Sequence, residues 1–200
     1  MNEKVPDRET AWQILREHVN EESLLRHCIT VEAVMRHFAG LYQGDVEEWG
    51  VIGLLHDVDF QKFPDQHCHK TRLILEPLGV PEAIIRAVES HGYKLVNDIE
   101  PHTDAEKVLY TVDELTGLIA ATAIMRPGKS IFDLPVKSVL KKWKQKSFAV
   151  NVSREVIMDG TQMLGQPIDF VIAQTIEGMK SVADKIGLHG DPADEAAQND

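Results

Sequence analysis

Two hundred residues fit one domain or two small ones, and a chain of this size buries a full hydrophobic core without disulfide or structural-metal staples. Hydrophobic residues at 43% and charged residues at 26% exclude disordered, collagen-like and coiled-coil chains, and a net charge of −11 argues against a general nucleic-acid binder. The acidity is uneven: residues 126 to 146 carry seven basic side chains against Asp133 alone, a segment that either attracts a small anionic ligand or forms a solvated helix face. The two cysteines, Cys28 and Cys68, lack CxxC spacing, and the opening Met1-Asn2-Glu3-Lys4 is polar where a signal peptide is apolar. No apolar run approaches the roughly 20 residues a bilayer span requires. A cytoplasmic protein without a membrane partner is expected.

In chain order the sequence predicts helices separated by short breakers, with little strand-type alternation, so the expected class is all-α. Pro6-Asp7 precedes a helix over 8–18. Asn20 or Ser23 caps a longer helix through Leu24, Val31, Phe38 and Leu41. Gly44-Asp45 ends that helix and caps the next, which runs into His56-Asp57. A helix over about 65–77 stops at Gly79, and Pro81 opens another that runs to His91-Gly92. Asp104 caps a helix over 105–125 that ends at Arg126-Pro127-Gly128. Helices over 135–147, 152–164 and 167–186 follow, and a frayed acidic tail is expected from residue 189.

Seven of the nine histidines lie between residues 27 and 102, and helical spacing turns some of them inward. His27 has Leu24 and Val31 one turn away on either side, His91 continues the stripe of Ile84, Ala87 and Val88, and Asp113 lies between Leu109, Val112 and Thr116. His56-Asp57 closes an apolar helix and therefore sits at the edge of the core. A single histidine on an apolar stripe is commonly a satisfied core residue, and a single buried aspartate commonly caps or pairs. A carboxylate on a buried stripe nonetheless needs a cation or strong donors, which a metal ion supplies. Imidazole plus carboxylate, without thiolate, suits Fe, Mn, Zn, Co or Mg as a divalent cofactor.

The pattern resembles the HD-domain superfamily of metal-dependent phosphohydrolases, helical bundles whose ligands occur in the order H…HD…D. His27 matches the first histidine, His56-Asp57 within Leu54-Leu55-His56-Asp57 the doublet, and Asp113 within Val112-Asp113-Glu114-Leu115 the distant aspartate. The resemblance covers about residues 20–125; a single helical domain over 1–188 is expected, with a C-terminal helical extension over about 130–188 that the family pattern does not cover. Two-metal members add histidines between doublet and aspartate; His67, with His69 as rival, and His91 are the residues that match, giving one or two divalent cations per chain. Val58-Asp59 stands where many relatives carry Ile-Gly. The lone His91 and the missing Gly-Tyr-Pro sequence argue against the cyclic-dinucleotide branch.

The resemblance implies hydrolysis of a phosphate ester, most simply of a small nucleotide or related metabolite, with Asp57 as the bridging catalytic carboxylate and water as nucleophile. Asp59 is either an orienting carboxylate behind the ligands or a solvent-facing loop acid. Lys70, one turn beyond His67 on a continuous helix, is a candidate phosphate contact. Lys137, Lys141 and Lys144 share a helix face that could reach over the site, with Trp143 and Phe148 as anchors. A small anionic substrate is the expected partner. A di-iron oxygenase on the same scaffold and a non-catalytic metal-binding sensor are the competing readings.

Overall fold

The computed structural model describes residues 4–190. Among these the chain forms ten α-helices and no strand, in agreement with the all-α expectation. The N-terminal unit comprises α1 (Arg8–His18), α2 (Glu22–Tyr42) and α3 (Val46–Leu55). Asp7 caps α1 through Thr10 N–H, and Asp45 caps α3 by accepting from Glu47 and Glu48 N–H. Each satisfies backbone donors that a helix start leaves free. α2 begins after Glu21 with no side-chain cap, so neither Asn20 nor Ser23 has the expected role. Instead, Gln61 Oε1 accepts from both Asn20 N–H and Glu21 N–H, tying this start to the loop after α3.

The segment expected as one helix over 65–77 is broken into a 3₁₀ turn (Pro64–Gln66), the short α4 (Thr71–Leu75) and a second 3₁₀ turn (Glu76–Leu78). Cys68, at φ 63°, interrupts it, because a left-handed residue cannot continue a right-handed helix. α5 (Glu82–Ser90) and α6 (Asp104–Ile124) follow. The cap of α6 is Thr103, not Asp104: its hydroxyl accepts from Glu106 N–H while the Glu106 carboxylate accepts from Thr103 N–H, a reciprocal capping box.

After α6 come α7 (Val136–Trp143), α8 (Arg154–Leu164), α9 (Ile168–Lys180) and α10 (Ala183–Ile186). The single helix expected over 167–186 is interrupted at Ser181-Val182. α2 is the centre of the packing, lying against α3, α6 and α9, and α6 is covered on another side by α8. The apolar core runs without a break from Ala11 to Leu188. The end of the described chain is held by two hydrogen bonds: Ile131 N–H donates to Leu188 O at 2.8 Å and Ser130 Oγ to His189 O at 2.8 Å. The rest of the expected tail, 191–200, lies outside the described residues. No helix among the described residues is long and apolar enough to cross a membrane.

The α2–α3 crossing sets the spacing of the two helices that carry the first candidate ligands, and it depends on Gly53. A Cβ there would lie 2.9 Å from Val31 O and 3.0 Å from Glu32 Cα, both backbone atoms that cannot rotate aside. Gly40, also helical, has nothing within 4 Å of its would-be Cβ. Gly53→Ala is expected to lower stability by about 1–3 kcal/mol through overpacking, whereas Gly40→Ala raises it by about 0.5–1 kcal/mol. Urea unfolding of the two variants checks this; equal effects would contradict the crossing's role.

Candidate metal centre

Each candidate ligand arrives on its own element. His27 lies on α2, His56 caps the C-terminus of α3, Asp57 follows in the first turn beyond it, His91 caps the C-terminus of α5, and Asp113 lies on α6. His67 sits in the turn before α4, not at a helix start. After His56 the chain tightens into 3₁₀-type turns, with Val58 N–H bonded to Leu55 O and Phe60 N–H to Asp57 O.

The side chains converge in two halves around Asp57. On one side His27 Nε2 lies 3.1 Å from His56 Nε2 and 2.9 Å from Asp113 Oδ1, and both histidines approach Asp57 Oδ2, at 3.6 and 3.2 Å. On the other, His67 Nε2 lies 3.0 Å from His91 Nε2, and the two face Asp57 Oδ1 at 3.4 and 3.8 Å. One carboxylate thus presents one oxygen to each half. His69 lies outside: its Nε2 meets Val96 O at 2.9 Å.

The chemistry of these atoms fits a cation. His56 Nδ1–H donates to Gly53 O at 2.8 Å and His91 Nδ1–H to Val88 O, since a carbonyl can only accept. That assigns the inward Nε2 of each neutral ring as a lone-pair atom. His67 is fixed in the same way, its Nδ1–H donating to Asp59 Oδ1 at 2.8 Å. Nitrogen lone pairs and carboxylate oxygens therefore point at one another, an arrangement that a proton or a metal ion must occupy. Ligand bonds of about 2.0–2.2 Å from nitrogen and oxygen fit donor separations of this size.

The electrostatics state the same demand. Burial acts on His56 against the charged form, but Asp57 and Asp113 outweigh it and raise its pKa well above 6.5. Burial likewise opposes the charged form of His67, and Asp59 and Asp57 overcome it. Burial would raise Asp57 and Asp113, yet the charges and hydrogen bonds of His56 and His27 hold both below the usual carboxylate range. His91 is the exception, pushed down to about 4 by burial and by the charge of His67, so it is neutral at pH 7.

Asp59 is fully buried, so the solvent-facing alternative is overturned. Its Oδ2 accepts from Lys70 N–H at 3.0 Å and Thr71 O–H at 3.2 Å, which leaves Oδ1 to orient His67. Lys70 does not line the cavity over the centre; its ammonium lies 6.0 Å above the Phe63 ring. Lys137, Lys141 and Lys144 are exposed and also off that cavity, and Trp143 and Phe148 pack against the core.

The cavity measures about 370 Å³, and besides the histidines and aspartates it is bounded by Phe60, Leu95, Val96, Glu114, Asn151 and Val152. Sequence reasoning passed over these. Glu114 was the accessible one, since it adjoins Asp113 on α6; burial and then the Asp113 charge raise its pKa. Asn151 and Val152 left no signal, because they reach the site only through the packing of α8 on α6. Cys68 is buried beside the centre, with Sγ 3.7 Å from His91 Nε2.

Three outcomes follow. Elemental analysis of metal-loaded protein should give two equivalents per chain, falling to one in His67→Ala with His91→Ala; one equivalent in both would reject the second position. Asp59→Ala should weaken the second equivalent by about 10–100-fold in titration, because His67 loses its orienting acceptor; unchanged affinity would deny that function. Raised imidazole pKa values mean that metal-free protein gains stability from protonated His56 and His67 below pH 6.5 and loses it as pH rises through their folded values. Metal-loaded protein should gain stability over the same rise, since the cation replaces those protons. Thermal melts against pH with chelator or metal should therefore diverge, and parallel curves would contradict the assignment.

The HD domain family model matches residues 24–118, a segment that contains every one of the converging residues. Neither a curated protein nor a solved structure gives a significant match to the chain. Over residues 24–118 the chain is similar to the HD domain, a match consistent with the HD-domain superfamily.

Proposed function

We propose that the protein hydrolyses a phosphate ester of a small metabolite, with one divalent cation held by His27, His56, Asp57 and Asp113 and a second by Asp57, His67 and His91. The observation that carries this reading is Asp57, whose two oxygens face two separate histidine pairs. Divalent cations in such a donor set make water a nucleophile at neutral pH and neutralise phosphoryl oxygens.

The chain supplies what surrounds that chemistry. Gly53 O, Val88 O and Asp59 fix the ring orientation of three of the four candidate ligand histidines. Phe60, Leu95, Val96 and Val152 give the cavity apolar walls that limit water beside the reacting phosphoryl group. A space of about 370 Å³ suits a compact ester and not a polymer strand.

Assay of p-nitrophenyl phosphate and a panel of natural monoesters with Mn²⁺, Co²⁺, Fe²⁺ or Mg²⁺ tests the reading. Asp57→Ala is expected to lower kcat by about a thousandfold or more, since losing the shared oxygen pair costs several kcal/mol of charge stabilisation. Retained turnover in that variant would contradict it, as would O₂ consumption with iron and no ester turnover with redox-inert ions.

A further inference from the structure

The wall of the cavity has a charge pattern unusual for a phosphate-binding site: among the described residues no Lys or Arg lines it. The charged group it adds to the histidines and the two aspartates is itself an anion, Glu114. Glu114 Oε2 accepts from Ser153 N–H at 2.8 Å, which fixes the carboxylate in place. Its Oε1 has no hydrogen-bond partner among the described residues. The remaining surface is apolar and in part aromatic, with Phe60, Leu95 and Val96 all 42–48% exposed.

A substrate carrying further phosphates or a carboxylate would bring them against Glu114 in a partly desolvated space, with no side-chain cation to offset them. Arg26 lines a separate cleft of about 160 Å³ that shares only His27 and Gly117 with the cavity, so an anionic substituent would have to leave the cavity to reach it. An ammonium group has the opposite fit. It can satisfy the free Glu114 oxygen, and its methylene stem fits the apolar wall that Leu95 and Val96 contribute.

We propose, building on the phosphohydrolase reading above, that this cavity selects a compact phosphomonoester whose organic end is a single primary amine, with Glu114 as the residue that recognises the ammonium. The phosphoryl end faces the histidines and Asp57, and the amine end faces Glu114. The exposed lysines of α7 take no part in this recognition.

Two measurements on metal-loaded protein test this. The first compares kcat/KM for phosphoethanolamine, propyl phosphate and phosphoglycolate, which differ chiefly in carrying an ammonium, a methyl or a carboxylate. The second compares calorimetric affinities for two non-hydrolysable isosteres, 3-aminopropylphosphonate and butylphosphonate. The amine should be favoured over the neutral partner by on the order of tenfold in both, with phosphoglycolate poorest, and Glu114→Gln should bring both ratios towards one. Gln keeps an acceptor for Ser153 N–H, so a merely structural Glu114 would leave the ratios unchanged, and unchanged ratios overturn the proposal. Ester turnover with no amine preference, or with phosphoglycolate preferred, overturns it and leaves the hydrolase reading standing. If no ester turns over, the hydrolase reading fails, and the phosphonate ratio decides the amine proposal alone: tenfold supports it, equality overturns it. Should the variant fail to fold, the wild-type ratios decide in the same way.

Discussion

Everything in the site follows from two carboxylates, Asp57 buried and Asp113 half-buried, with no lysine or arginine lining the cavity beside them among the described residues. Asp57 and Asp113 lie among imidazoles and apolar helices, and a desolvated charge in such surroundings costs several kcal/mol unless a cation meets it. In the absence of metal the only cations available are protonated histidines, which explains why His56 and His67 are raised while the carboxylates are lowered. The fold thus holds a net demand for positive charge at its centre. A divalent ion meets that demand with fewer particles and stronger bonds than a set of protons, so binding and folding are linked at this point.

The scaffold is organised around meeting that demand with fixed geometry. α2 and α3 approach closely because Gly53 has no side chain, and the same Gly53 supplies the carbonyl that orients His56. Near the other half of the site the chain abandons helical order: the turn through His67 and left-handed Cys68 lets Asp59, His67 and Thr71 close a small hydrogen-bonded loop. The segment after residue 118, beyond the family match, is not a passive appendage. Ser153 fixes Glu114 and Val152 walls the cavity, so the C-terminal helices shape what enters a centre built by the N-terminal ones.

The all-α class and the inward stripes were legible because they depend on local periodicity. His27, Asp113 and His91 have apolar neighbours at helical spacing, and burial of a stripe places them whatever the tertiary detail. The break at Cys68 was not legible, since a left-handed residue that is not glycine is imposed by tertiary contacts. For that reason Lys70 and His67, counted as one helix face, point differently. Asp59 could not be assigned either, because its burial depends on a turn and not on a period. Glu114 was visible beside Asp113, but its free oxygen and apolar surroundings arise from the packing of α6 against the segment before α8. Lys137 and Lys141 lie on α7 and Lys144 at its C-cap, and only the packing of α7 shows that they lie away from the cavity.

The central claim is that Asp57 joins two cation positions. Anomalous diffraction from crystals of the Mn²⁺-loaded protein tests it most directly. The account predicts two anomalous peaks about 3.5–4 Å apart, one beside His27, His56 and Asp113, the other beside His67 and His91, with the Asp57 carboxylate between them. A single peak, or peaks to which Asp57 contributes no oxygen, would contradict it.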